Sequence, residues 1–153
     1  MRRALLLMLL LPLLQGALAH AALGTAPSNF GTTPLRQGAR SLAAAGADST
    51  AVYTVSQSTL DSGTVVREYV NSDGTVFAVS WSGPALPDLR TLLGDKFAVL
   101  TGAAAQRPKA GHSQLALERP DVVIVSGGHM RAYAGHAWIP GALPAGFDTS
   151  VIE

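Results

Sequence analysis

At 153 residues, with 11 basic and 10 acidic side chains, the chain is long enough for one domain with a real core and is nearly neutral. That balance leaves no electrostatic footprint for nucleic acid or for an anionic membrane surface. There is no cysteine, so no disulfide can form and stability must come from packing.

The N-terminus sets the expected compartment. Arg2 and Arg3 precede an apolar run from Ala4 to Leu14, and small residues close it at Ala17-Leu18-Ala19 and Ala19-His20-Ala21. This is the layout of a cleavable signal peptide, with cleavage after Ala21 favoured and after Ala19 the alternative. The apolar run is too short for a membrane span, which needs about 20 residues. With no cysteine behind it, a lipid anchor on cysteine is excluded. The chain therefore divides into a signal peptide (1–21), a flexible lead-in (22–50) and a single α+β domain (51–153) with an irregular tail. Its expected location is periplasmic or extracellular, with no membrane span after cleavage. Gly24, Pro27, Gly31, Pro34 and Gly38 interrupt the lead-in.

From Val52 to Trp81 the pattern is a meander of three strands. Asp61-Ser62-Gly63 and Ser72-Asp73-Gly74 each place a glycine third in a three-residue hairpin loop. The first loop pairs Thr59 with Val65, Gln57 with Arg67 and Val55 with Tyr69. The second pairs Tyr69 with Phe77, Arg67 with Val79 and Val65 with Trp81. Alternation then gathers Tyr53, Val55, Val65, Tyr69, Phe77, Val79 and Trp81 on one face.

After Trp81, Pro87-Asp88 suits a helix start, and Leu89, Leu92, Leu93, Phe97 and Leu100 follow at helical spacing. Gly94 marks a break, with a restart from Asp95. The leucine stripe is expected to cover the aromatic face of the meander. Gln114 to Glu118 forms a short strand. Asp121 to Ser126 and His129 to Trp138 form a second hairpin about a Gly127-Gly128 turn, with Ser126 facing His129, Ile124 facing Arg131 and Val122 facing Tyr133. The sequence leaves open whether the two hairpins share a sheet. Trp138, Leu143 and Phe147 are the expected anchors of the tail.

Three sets of residues could carry chemistry. His112, His129 and His136 are a candidate metal set, but a spacing of seven puts the last two on opposite faces of one regular strand. Ser126 and His129 across a turn are a candidate hydrolase pair, yet a hairpin is not the strained elbow of G-x-S-x-G and no third group orients the imidazole. His129, Arg131, Tyr133 and Trp138 form the favoured binding patch, on the exposed sheet face or at a strand edge that a partner could extend. Gly127-Gly128 lacks the lysine and hydroxyl of a phosphate loop, so no cofactor is expected. The partner would be another envelope protein or a small ligand.

Several stretches together resemble a known family. They are Ala22-Leu23-Gly24, Leu60 to Val70, Gly74 to Trp81, Gly83-Pro84 through Pro87-Asp88-Leu89, and Val125 to Arg131. They are similar to a bacterial domain of unknown function, number twenty-eight forty-four, made of short exported proteins. The resemblance covers nearly all of the chain after the leader, and implies an envelope protein without supplying catalytic residues. The expected fold is α+β: an antiparallel β-meander with one helix packed on its face, followed by a second β-hairpin. The expected role is a non-enzymatic binding or accessory module.

Overall fold

Two glycine turns begin the fold. In the computed structural model, which describes residues 23–27, 53–106 and 114–152, Gly63 and Gly74 have φ of 83° and 79°, in the left-handed region that opposes a side chain. The loops close through Leu60 N to Thr64 O (2.8 Å) and Asn71 N to Thr75 O (3.0 Å). They join β1 (Tyr53–Thr59), β2 (Val65–Asn71) and β3 (Val76–Gly83). Along β1 and β2 the register is the expected one, including Val55 opposite Tyr69 and Gln57 opposite Arg67.

The second pairing slips by one residue. Val70 faces Val76 but Tyr69 faces Ala78, so Phe77 is the additional residue of a β-bulge. Beyond it Arg67 faces Ser80 and Val66 faces Trp81, in place of the expected pairs Tyr69–Phe77, Arg67–Val79 and Val65–Trp81. The reason lies in what each face must bury. Strict alternation would send Phe77, Val79 and Trp81 the same way. With the bulge, Phe77 and Ala78 join Tyr53, Tyr69 and Ile152, while Val76, Val79 and Trp81 join Val66 and Val70 on the other face.

The expected single ring-bearing face is therefore two faces with different covers. Leu89, Leu92, Leu93 and Leu100 pack with Val79, Trp81, Val122, Ile124 and Ala137. The leucine stripe shields the Trp81 side, and the Tyr69–Phe77 side is closed by Leu143 and Phe147 of the tail. Phe147 meets Phe77 and Tyr53 edge-on, with ring centroids 4.9 and 5.0 Å apart.

The helical segment breaks where glycine interrupts its stripe. α1 (Leu89–Leu93) passes through a 3₁₀ turn, Gly94–Lys96, into α2 (Phe97–Ala105). Asp88 caps α1: its Oδ1 accepts from Arg90 N (3.0 Å) and Thr91 N (3.3 Å), and Thr91 Oγ1 donates to Oδ2 (2.7 Å). Lys96 Nζ reaches Asp121 Oδ2 at 2.9 Å on the surface.

Three further strands, β4 (Gln114–Arg119), β5 (Val122–His129) and β6 (Ala132–Trp138), complete one antiparallel sheet in the order β1-β2-β3-β6-β5-β4. Pairing of β3 with β6 joins the two hairpins, with Ser80 opposite His136 and Trp81 opposite Gly135. The second hairpin turns at Met130-Arg131 rather than Gly127-Gly128, and Arg131 takes φ of 67°. His129 consequently faces Ala132, Ser126 faces Gly135 and Gly128 faces Tyr133. Gly128 serves close packing, since a Cβ there would lie 2.6 Å from Tyr133 Cδ1 and 2.9 Å from its Cα. The longer hairpin also sets Ile124 opposite Ala137, both buried in the main core.

Leu23 to Thr25, within the stretch that composition marks as a lead-in, is docked on the domain. Leu23 N donates to Leu92 O (3.2 Å), Gly24 N to Val76 O (2.8 Å), and Val76 N to Thr25 O (2.8 Å). The Leu23 side chain is only 4% exposed, within the main core.

Candidate functional site

Strand pairing builds a row of polar side chains across the sheet face opposite the helices. Gln57 faces Arg67, Arg67 faces Ser80, and Ser80 faces His136, each on the neighbouring strand. Arg67 Nε donates to Gln57 Oε1 at 3.0 Å. On the tail side the adjacent row is Val55, Tyr69, Ala78 and Trp138, which Leu143 and Phe147 cover in part, leaving Trp138 half-buried. On the far side Val65, Ser82, Ala134 and Gly127 keep the surface low.

His136 and Trp138 stand at the centre of the open part. Their rings are 5.5 Å apart and inclined by 35°, and both residues are half-buried. Burial holds the His136 imidazole below its ordinary pKa, which favours the neutral ring. A neutral imidazole offers one donor and one acceptor, and the indole beside it offers a ring face and an N–H. Such a pair can recognise a ligand or a partner side chain. It has no accessible nucleophile directly opposite it, because Ser80 is fully buried.

The residues singled out by sequence do not form one patch. Trp138 and His129 lie on the open face but six positions apart along the β5 register, roughly 20 Å at strand rise. Tyr133 belongs to the helix-side face, opposite Gly83 and Gly128, and Arg131 occupies the turn beside the 94%-exposed Met130. The proposed extendable edge is also displaced: β6 is interior, between β3 and β5, and the outer strands are β1 and β4.

His129 and His136 share a face, contrary to the single-strand expectation, because the turn at Met130-Arg131 lies between them. His136 faces Val125, four residues from His129 on β5, so the two imidazoles are separated by roughly 13 Å of strand. His112 lies outside the described residues, and among those described no three metal-ligating groups cluster. Ser126 and His129 are three apart on the same strand and point to opposite faces, so they form no nucleophile–base pair. Arg67, Ser80 and His136 were not singled out together because they meet only through the bulge and the β3–β6 pairing.

A concavity of about 270 Å³ lies between the Asn71–Asp73 turn and Gly141–Pro144. Asn71 Oδ1 is engaged there by the backbone N–H groups of Asp73 and Thr75, which makes it part of the turn. No helix among the described residues is long and apolar enough to cross a membrane.

An α+β domain with one antiparallel sheet, helices on one face and a half-open aromatic–imidazole surface on the other is the class these observations define. The chain belongs to the family described as protein of unknown function (DUF2844), whose model matches residues 19–152. No curated protein and no solved structure matches it.

Proposed function

We propose that the protein is an exported, non-enzymatic binding or accessory module of the cell envelope that works through the sheet face around His136 and Trp138. The carrying observation is the uneven cover of the sheet: helices close one face, the tail closes part of the other, and the His136–Trp138 pair remains half-exposed beside small residues. The basic n-region, apolar run and small-x-small sites support export to the periplasm or beyond. The separation of Ser126 from His129 and the burial of Ser80 favour recognition over hydrolysis.

His129 and Arg131 extend the same hairpin towards solvent and would contact a partner large enough to span it. The test is binding of envelope components to the protein and to its Trp138→Ala and His136→Ala variants. Loss of a bound component in both, with the fold retained by far-ultraviolet circular dichroism, is the expected result. Undiminished binding in both variants would remove this surface from consideration. Turnover of hydrolase substrates that vanishes with His129→Ala would replace the reading with an enzymatic one.

A further inference from the structure

We propose that Leu23–Thr25 is a latch that closes after leader cleavage, so that proteolytic maturation and completion of the fold occur in that order. The proposal rests on the export reading and adds a constraint from the fold. The favoured scissile bond, after Ala21, is two residues from a side chain that is 4% exposed and packed with Leu92 and Val76 in the main core. Three backbone hydrogen bonds hold the segment, one from Leu23 to Leu92 and two between Gly24-Thr25 and Val76. Gly24 supports this close fit with φ of 95°, and a Cβ on it would lie 3.3 Å from Ile139 Cδ1.

A protease acts on backbone that is exposed and free of hydrogen bonds. Leu23 is the second residue after the favoured bond, and its N–H is already bonded to Leu92 O in the docked state, so it is not free to enter a protease cleft and cleavage must precede docking. The family match, which begins at residue 19, takes in the Ala19-His20-Ala21 site and the latch but omits the basic and apolar leader. Two consequences follow for the mature chain. Its N-terminal residue lies at or before Leu23, and the latch contributes to stability out of proportion to its three residues. Leu23 adds a buried aliphatic side chain to the core, and Gly24 and Thr25 satisfy both backbone groups of Val76 at the start of β3.

The experiment uses the full-length gene, with protein recovered in whatever form the cells yield. Intact mass identifies the N-terminus. A chain that begins at His20 or Ala22 is expected, and cleavage beyond Leu23 would overturn the latch while leaving export intact. Protein that keeps its leader and stays out of the envelope fraction would instead refute the export reading. The latch itself is then read on Leu23→Asp, with Leu23→Ala as the milder variant should the first fail to accumulate. A fall in melting temperature of about 10 °C and faster exchange of the Val76 amide are expected, whereas Ala26→Asp, at an exposed position, moves neither. Unchanged melting and exchange in the Leu23 variants would overturn the proposal whatever the mass shows.

Discussion

The ring of Trp81 occupies the space in which a side chain at Gly135 would begin. The two residues face each other across β3 and β6, and a Cβ on Gly135 would lie within 2.6 Å of Trp81 Cε2 and of Val125 O. The indole thereby covers bare backbone at the seam that joins the two hairpins into one sheet. Gly135→Ala is expected to force the ring or the strand aside and to cost about 2–3 kcal/mol, as overpacking of a filled core does. Urea unfolding of the two proteins measures it, and an unchanged midpoint would mean that the ring moves at no cost.

The tail is held by one aromatic side chain more than by its backbone. Phe147 contacts Phe77, Tyr53 and Tyr69, with centroids 4.9, 5.0 and 6.4 Å apart, and closes the face that the helices leave open. Tyr69 Oη also donates to Val151 O at 3.1 Å. Phe147→Ala should therefore lower stability by about 3 kcal/mol and detach the residues around it. Near-ultraviolet circular dichroism, which reads the packed rings, should lose much of its signal. Tyr69→Phe, which removes only the hydroxyl, should cost about 1 kcal/mol.

Local signals in the sequence were enough for the elements, and non-local ones decided how they face. The Asp61-Ser62-Gly63 and Ser72-Asp73-Gly74 turns, the leucine spacing from Leu89 to Leu100 and the break at Gly94 were all legible, because each depends on neighbours in the chain. The bulge at Phe77 was not, because an extra residue appears only when two opposite faces compete for Phe77, Val79 and Trp81. Gly127-Gly128 looked like a turn for a similar reason. Gly128 is needed by Tyr133 on the partner strand, a contact that spacing alone does not reveal. Of the polar row, Gln57 opposite Arg67 was legible from the first turn, whereas Ser80 and His136 join it only through the bulge and the β3–β6 pairing, and Trp138 was recognised by residue type.

Asp88 gives the start of the helical segment a pH dependence of known sign. The Thr91 hydroxyl bonded to its carboxylate, helped by the Thr91 and Arg90 amides, holds it below the usual carboxylate value of 3.8. A carboxyl with a lower pKa in the folded than in the unfolded chain contributes stability that is complete above the unfolded value. That contribution is lost as pH falls through the folded one. Asp88→Ala should cost about 1 kcal/mol at neutral pH through loss of the cap, and the difference from wild type should shrink in acid below pH 3.8. Asp88→Asn, which can still accept the capping bonds, should recover most of the neutral-pH loss. Thermal unfolding of the three proteins across that pH range checks both parts.

His136 sets a second and higher window. Burial depresses its folded pKa below the 6.5 of an unfolded chain, so between those two values the unfolded chain binds the extra proton. Stability should hold above pH 6.5 and decline as pH falls towards the folded pKa, below which this group contributes no further change. The His136→Gln variant should lack that decline while keeping the one that belongs to Asp88. In a proton NMR titration the His136 ring should titrate below 6.5, and Trp138, 5.5 Å away, should report the same midpoint through its indole shifts. A binding partner that covers the pair should push the His136 midpoint lower still, because it removes water from a ring that is already half-buried. A midpoint raised by the partner would instead point to a negative charge brought against the imidazole, and so to the chemistry of what this face recognises.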